Sequence, residues 1–220
     1  MSGQRPPTAK AKVKRQRRDL HHQAILDGAE RVFALQGFER TRMQDLAAAA
    51  GLSLATVYGV VGGKAELYTE VHRERGRGLL AAAAGAAAGA GSAWQGLLDG
   101  VRAYAEYLTA HPDYLRLHLL ESQPWALRPR FTSPEQGRLW RDGLELAVTM
   151  FRAAIAEGAV VDEDPNLLAR LMIAAHQVFL GEWIEKGMDE PAAKLIERMQ
   201  TYLVRAFAAP PSAHPRPPRH

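Results

Sequence analysis

The side chains with most to offer a ligand crowd into residues 41–64. Hydroxyls stand at Thr41, Ser53, Thr56 and Tyr58, and cations at Arg42 and Lys64. On a helix opening at Ser53, residues Leu54, Ala55, Thr56, Tyr58 and Gly59 point outward, and none is acidic. Such a surface suits a DNA major groove, where methyls and hydroxyls meet base edges while cations meet phosphates. Elsewhere the chemistry is thin. The chain has no cysteine, which excludes disulfides, thiolate metal sites and cysteine nucleophiles. His118 and Glu121 lie at i, i+3 with His111 two turns away, too few ligands for a metal without a second cluster. His21 and His22 are adjacent and point apart. No Gly-x-Ser-x-Gly elbow, Walker loop or dinucleotide fingerprint occurs. No catalytic residue, metal site or cofactor is expected.

Three short helices must position that surface. Ile25, Ala29, Val32 and Phe33 form one apolar stripe on a first helix over residues 19–36, and Gly37 suits a left-handed cap. Thr41-Arg-Met-Gln44 reads as a capping box opening a second helix that ends near Gly51, and Ser53 caps a third that closes at Gly62-Gly63. Leu46 and Val57 face the first stripe, Ala47 is small where the next helix crosses, Gly51 permits the tight turn, and Leu52 plugs the corner. This is a helix-turn-helix layout; its plainer alternative is an ordinary three-helix corner.

Charge separates the ends from the body. Residues 1–18 carry seven cations (Arg5, Lys10, Lys12, Lys14, Arg15, Arg17 and Arg18) and no acid, and residues 209–220 add Arg216 and Arg219. With a net charge of +4 overall, the part between them is left at −5. A basic arm on an acidic body points to a polyanion at one end of the molecule; a solvated tail is the other reading. Over residues 19–64 four basic residues face five acids, so the arm, with Arg17 and Arg18 nearest the helices, must supply much of the phosphate attraction.

The 220 residues, 47% hydrophobic and 24% charged, fit one large or two small globular domains. Both ends read as disordered: 1–18 is rich in Pro, Lys and Arg, and 209–220 holds five prolines. Between them about nine helices and no strand are expected. A long fourth helix from Lys64 frays around residues 85–91. Pro112, Pro134, Pro165 and Pro191 mark later helix starts, with a loop over 122–132. The expected domains are an arm (1–18), a DNA-binding unit (19–67), a second helical domain (68–208) and a tail (209–220). No apolar run approaches the roughly 20 residues that span a bilayer, so a soluble, cytoplasmic protein without membrane contact is expected.

The stretches Ala29-Glu-Arg-Val-Phe33, Gly37-Phe38, Thr41, Asp45-Leu-Ala47, Ala50-Gly-Leu-Ser53, Thr56-Val-Tyr58 and Lys64-Ala-Glu-Leu67 together resemble the tetracycline-repressor (TetR) family. The resemblance is specific over residues 19–67 and architectural beyond. It implies an all-α fold in which a long helix joins the helix-turn-helix domain to a C-terminal ligand-binding and dimerisation domain. It implies phosphate contacts from Thr41, Tyr58 and Lys64. Arg42 can reach backbone or a base edge; Leu54, Ala55 and Thr56, beside the cap Ser53, are the expected base readers. One position departs from the family: the aromatic usual three residues after the tyrosine is Val61, which should loosen packing between the third and fourth helices. Gly59 should also make the base contact sparer.

In the C-terminal part, apolar residues cover more than one face of the eighth and ninth helices, so Leu171, Phe179, Ile196, Met199 and Leu203 are expected at a homodimer interface. Tyr104, Tyr107, His118, Trp140 and His176 pair an apolar body with a polar tip and are candidates for an effector pocket. The expected function is a homodimeric repressor of a palindromic double-stranded operator, released by a small molecule. A helical protein–protein adaptor, a helical enzyme working in the C-terminal cavity and a ligand-independent DNA-binding regulator are the alternatives.

Overall fold

The computed structural model describes residues 9–120, 131 and 133–210, and among them the chain is helical throughout apart from one isolated bridge between Val160 and Ala208. The helices are α1 (Ala9–Arg40), α2 (Met43–Ala49), α3 (Leu54–Val60), α4 (Lys64–Ala88), α5 (Ala93–Ala110), α6 (Pro112–Leu120), α7 (Pro134–Ala156), α8 (Pro165–Glu185) and α9 (Ala192–Phe207). The caps follow the sequence closely. Ser53, Ser92 and Ser133 accept from the amides of Thr56, Gln95 and Gln136, and Asp164 accepts from Asn166. The expected loop over 122–132 lies outside the described residues except for Phe131, as do residues 1–8 and 211–220.

Three expectations are corrected. The arm is not wholly irregular: α1 begins at Ala9, because Ala, Lys, Arg and Gln are good helix formers and the prolines stop at position 7. Lys10, Lys12, Lys14, Arg15, Arg17 and Arg18 are exposed on this extension. The fourth helix runs through its alanines and ends at Ala88, inside the expected stretch 85–91. The capping box at Thr41 is displaced by one residue: Arg42 is the N-cap, and its amide donates to the Asp45 carboxylate (2.9 Å), not to Gln44. Finally, α8 is long and apolar enough by length and composition to cross a membrane, with mean hydropathy 1.2 over its best 18 residues, a third of them buried in the fold.

Two apolar clusters hold the molecule together. One runs from Ile25, Phe33, Leu46 and Val57 through Leu67 and Tyr68 to Leu108, Tyr114, Leu180 and Met199, so it joins the N-terminal helices to α4, α5, α6, α8 and α9. The other, around Leu97, Phe151, Ala154, Met172, Leu203 and Phe207, closes α5, α7, α8 and α9. Burying a leucine or phenylalanine side chain contributes about 1.5–3 kcal/mol. Hence α4 and the N-terminal helices share a core that is hard to take apart piecemeal. A part-buried ion pair, Arg75 Nε to Glu30 Oε2 at 2.6 Å, fastens α4 to α1 as well.

Candidate nucleic-acid interface and internal cavity

The N-terminal head is built around α1. Ile25, Ala29 and Phe33 are fully buried, and Leu46 of α2 and Val57 of α3 close over them. Gly28 decides how near α2 can come: a β-carbon there would lie 3.0 Å from the backbone of Ala49 and Ala50. Gly28 is thus the small residue that the close crossing of α1 and α2 requires, and Ala47 is buried in the same head. Gly51 turns the chain at φ +66°, where an L side chain is strained. Leu52 N then donates to Ala47 O, and Ser53 opens α3.

The outer side of α3 carries the expected chemistry with one exception. Tyr58 is 52% exposed, Ser53, Ala55 and Gly59 are exposed, and Thr56 is half-buried. The Ser53 and Thr56 hydroxyls lie 2.8 Å apart and hydrogen-bond each other, so both reach a ligand as one preset pair. The exception is Leu54, half-buried against the apolar core and turned partly away from the outer face.

One expected phosphate contact is also corrected. Thr41 is only 2% exposed, and its hydroxyl donates to Gly37 O at 2.8 Å, closing the break that Gly37 makes at the end of α1. The side chain is therefore spent on the head's own architecture. Lys64 directs its ammonium at Phe38 O (2.8 Å) and Glu39 O (3.3 Å), with its Nζ 4.4 Å from the centroid of the Phe38 ring. It ties the start of α4 to the end of α1. Arg42 remains exposed beside α2. Val61 is buried, and the aromatic mass between head and α4 comes instead from Phe38 and Tyr68, whose rings are 4.9 Å apart.

In the C-terminal domain α4, α5, α7 and α8 line a partly open cavity of about 150 Å³, with α6 contributing Tyr114 and His118. Of the five expected lining residues, Tyr104, His118, Trp140 and His176 border it. Tyr107 does not: it packs over Gly78, where its hydroxyl fills the space a β-carbon would need, and stacks on His111. Sequence reasoning missed His72, Tyr114 and Gln136. Gln136 was visible only as a capping residue, and it is one, since its Oε1 accepts from Ser133 N. Its Nε2 donates to Tyr68 Oη (3.0 Å) and to His72 Nε2 (3.1 Å), which fixes that histidine nitrogen as an acceptor. Tyr104 Oη and His118 Nε2 pair at 3.1 Å.

Burial sets the protonation of this cluster. It pushes His118 down to about 3 and His176 to about 4; His72 falls to about 3 through burial and the nearby His118. Burial also drives the Tyr104 and Tyr114 phenols upward. All five are neutral near pH 7. Among the described residues no group of three or more His, Asp or Glu could hold a metal ion. The cavity also reaches the head by contact: Gln136 holds Tyr68 and His72 of α4, Tyr68 packs on Phe33 (5.1 Å) and Phe38, and Phe38 carries Lys64.

On the outer face of α8, Leu167, Leu171 (49% exposed) and Val178 (70%) line up at helical spacing, next to Phe179 and the exposed Tyr202 of α9, whose rings are 5.6 Å apart. Ile196, Met199 and Leu203 are not on that face. They are buried against the chain's own core, because α9 has a single apolar side and spends it internally.

Residues 25–71 match the family model described as bacterial regulatory proteins of the tetR family. A comparison with curated proteins gives no match. Among solved structures the chain is similar to KstR2, a ketosteroid transcriptional regulator of Mycobacterium tuberculosis (19% identity, 86% of this chain and 95% of that one, TM-score 0.72). It is similar to FadR, a fatty acid degradation regulator of Bacillus halodurans (17%, 84% and 95%, TM-score 0.72). It is similar also to SmeT, the repressor of the Stenotrophomonas maltophilia multidrug efflux pump SmeDEF (18%, 90% and 97%, TM-score 0.66). At these identities the likeness establishes the fold: an all-α helix-turn-helix head on a helical domain.

Proposed function

Residues 25–71 form the N-terminal domain of the tetR family of bacterial regulatory proteins, and from that premise we propose that the chain is a cytoplasmic, homodimeric DNA-binding repressor that a small molecule releases from a palindromic operator. The observation that carries the proposal is the outer face of α3, where Ala55, Tyr58, Gly59 and the Ser53–Thr56 hydroxyl pair stand free of acidic side chains on a rigidly capped helix. On this reading Ala55 meets thymine methyls, the paired hydroxyls meet base edges, and Tyr58 with Arg42 meets phosphates. The helical extension bearing Lys10 to Arg18 adds a sequence-independent attraction.

Dimerisation is assigned to the apolar stripe of α8 with Tyr202 of α9, since Leu167, Leu171 and Val178 are left exposed among the described residues. An apolar helix that satisfies a membrane criterion by composition is equally served by a second copy of itself. Release is assigned to the cavity: a molecule that competes for Gln136 or His72 loosens α4, whose first turns hold the head through Tyr68, Phe38 and Lys64. To empty the operator it must favour the loosened state by several kcal/mol.

Selection of bound sequences from random duplex DNA tests the proposal. The expected result is a palindrome with half-sites a helical turn or more apart. Enrichment of single, unrepeated sites would remove the dimeric reading, and no enrichment at all would remove DNA recognition.

A further inference from the structure

The cavity is drawn out along the helices that line it. On α4 the lining runs from His72 through Gly76 and Leu79 to Ala87, and on α7 from Gln136 through Leu139 and Gly143 to Met150. At about 1.5 Å per residue each stretch covers about 20 Å. The two helices lie side by side and run the same way. Gln136 Nε2 donates to His72 Nε2, a β-carbon on Gly76 would press on Leu139, and one on Gly143 would meet Leu80. Further along, a β-carbon on Gly96 of α5 would strike both Met150 and the carbonyl of Ala87, so the far ends meet as well. Position along α4 and α7 therefore measures distance along the cavity. A volume of about 150 Å³ spread over such a length is narrow.

The two ends differ in chemistry. At the near end stand His72 and Gln136, with Tyr114 and His118 of α6 and Tyr104 of α5. Ring contacts join them into one group: His72 to Tyr114 at 5.8 Å, Tyr114 to His118 at 5.7 Å and His118 to Tyr104 at 6.4 Å. Tyr104 and His118 are only half-buried, although they lie among four helices. Hydroxyl, imidazole and amide groups of this kind pair with a hydroxyl or carbonyl oxygen. At the far end the described lining is Ala83, Ala87, Leu97, Ala147 and Met150, which offers nothing but hydrocarbon. A compact molecule would serve one end and leave the other unfilled. A molecule apolar throughout would set hydrocarbon against the polar group.

Resting on the assignment of this cavity as the effector site, we propose that it receives a straight-chain amphiphile: one unbranched hydrocarbon tail lying along α4 and α7 towards Ala87 and Met150, and one oxygen-bearing end group among Tyr104, His118 and Gln136. The end group then sits beside the bonds by which Gln136 holds Tyr68 and His72, where it competes for them.

Calorimetric titration of the full chain with 1-butanol, 1-hexanol, 1-octanol, 1-decanol and cyclooctanol tests this. Affinity should rise about fourfold for each methylene added to butanol, until the tail reaches Met150. 1-Octanol should bind about tenfold more tightly than cyclooctanol, its compact counterpart of equal carbon number. Met150 is half-buried, so Met150→Ala opens the far end without emptying the core. It should carry the rise on to longer chains and leave butanol unchanged, which also reports an intact fold. If cyclooctanol binds as well as 1-octanol, if affinity ignores chain length, or if no alcohol binds, the ligand class is wrong. If Met150→Ala weakens every alcohol alike, the tail does not lie towards that end. The effector assignment is read separately, by adding the tightest-binding alcohol to the complex with the selected operator. Release upholds it; binding without release removes it and leaves the ligand class standing.

Discussion

The head and the cavity use their polar side chains in opposite ways. In the head, partners are near in sequence: Ser53 with Thr56, the Arg42 amide with Asp45, the Thr41 hydroxyl with Gly37, all within four residues. Lys64, reaching Phe38 across 26 positions, and Glu30, paired with Arg75 across 45, break the pattern where the head meets α4. In the cavity, Tyr104 meets His118 across 14 positions, and Gln136 meets His72 and Tyr68 across 64 and 68. The head is thus organised by short-range geometry and leaves its outer face bare. The cavity exists only once four helices have assembled. A surface that must be ready before its ligand arrives is built locally; a pocket whose occupancy is to alter the fold is built from long-range contacts that a ligand can contest.

Acid separates the two regions most strongly. His72, His118 and His176 are held neutral in the fold, with values near 3, 3 and 4, whereas in the unfolded chain they take up protons below about 6.5. Below that pH the unfolded state binds more protons, so stability is fully present above about pH 6.5 and is lost as pH falls towards the folded values. Each histidine contributes a slope of about 1.4 kcal/mol per pH unit, so the three together cost about 6 kcal/mol between pH 6.5 and pH 5. Urea titrations over this range should show that slope, and His176→Leu should remove about a third of it. A slope the variant leaves unchanged would mean that the cavity cluster is not what acid attacks.

The helical extension gives the next largest effect, on the other region. If about four of its cations reach phosphates, they add about −3.6 to the slope of log affinity on log salt, or about two decades between 50 and 200 mM. Removing residues 1–18 should flatten the salt dependence by that amount without changing the melting temperature, because the cations from Lys10 to Arg18 are exposed. An unchanged slope would confine DNA contact to α2 and α3.

The same contrast explains what the sequence could disclose. The helix starts at Ser53, Ser133 and Asp164 and the turn at Gly51 were legible because a cap or a glycine acts within its own four or five residues. The apolar stripe of α1 was legible for the same reason. Thr41 misled, since a hydroxyl in a short connection looks free until the fold shows it bonded to a backbone carbonyl. Ile196, Met199 and Leu203 misled because an apolar face does not say whether its partner is the same chain or another. Gln136 and His72 were invisible: nothing at position 136 announces a residue 64 positions away.

Gly28 brings this down to a single atom. A β-carbon there would press to 3.0 Å against the backbone of Ala49 and Ala50, which cannot yield as a side chain end would. Gly28→Val should cost about 1–3 kcal/mol in urea unfolding. Gly85→Ala, in open space on the exposed side of α4, should instead gain about 0.4–1 kcal/mol. Equal effects from the two would show that the close crossing of α1 and α2 is not what fixes the head.

Tyr58 carries the smallest and most specific effect. It is exposed beside Val57, which is fully buried, so neighbouring truncations separate recognition from folding. Tyr58→Ala should weaken binding to the selected operator about tenfold, the loss of one hydroxyl contact and its ring, and leave the urea midpoint where it was. Val57→Ala should do the reverse, lowering stability by about 1–3 kcal/mol through the cavity it leaves in the head. If Tyr58→Ala bound the operator at full strength with its helicity intact, the groove-facing side of α3 would not be where the duplex lies. The bare face of the head would then belong to a protein partner rather than to DNA.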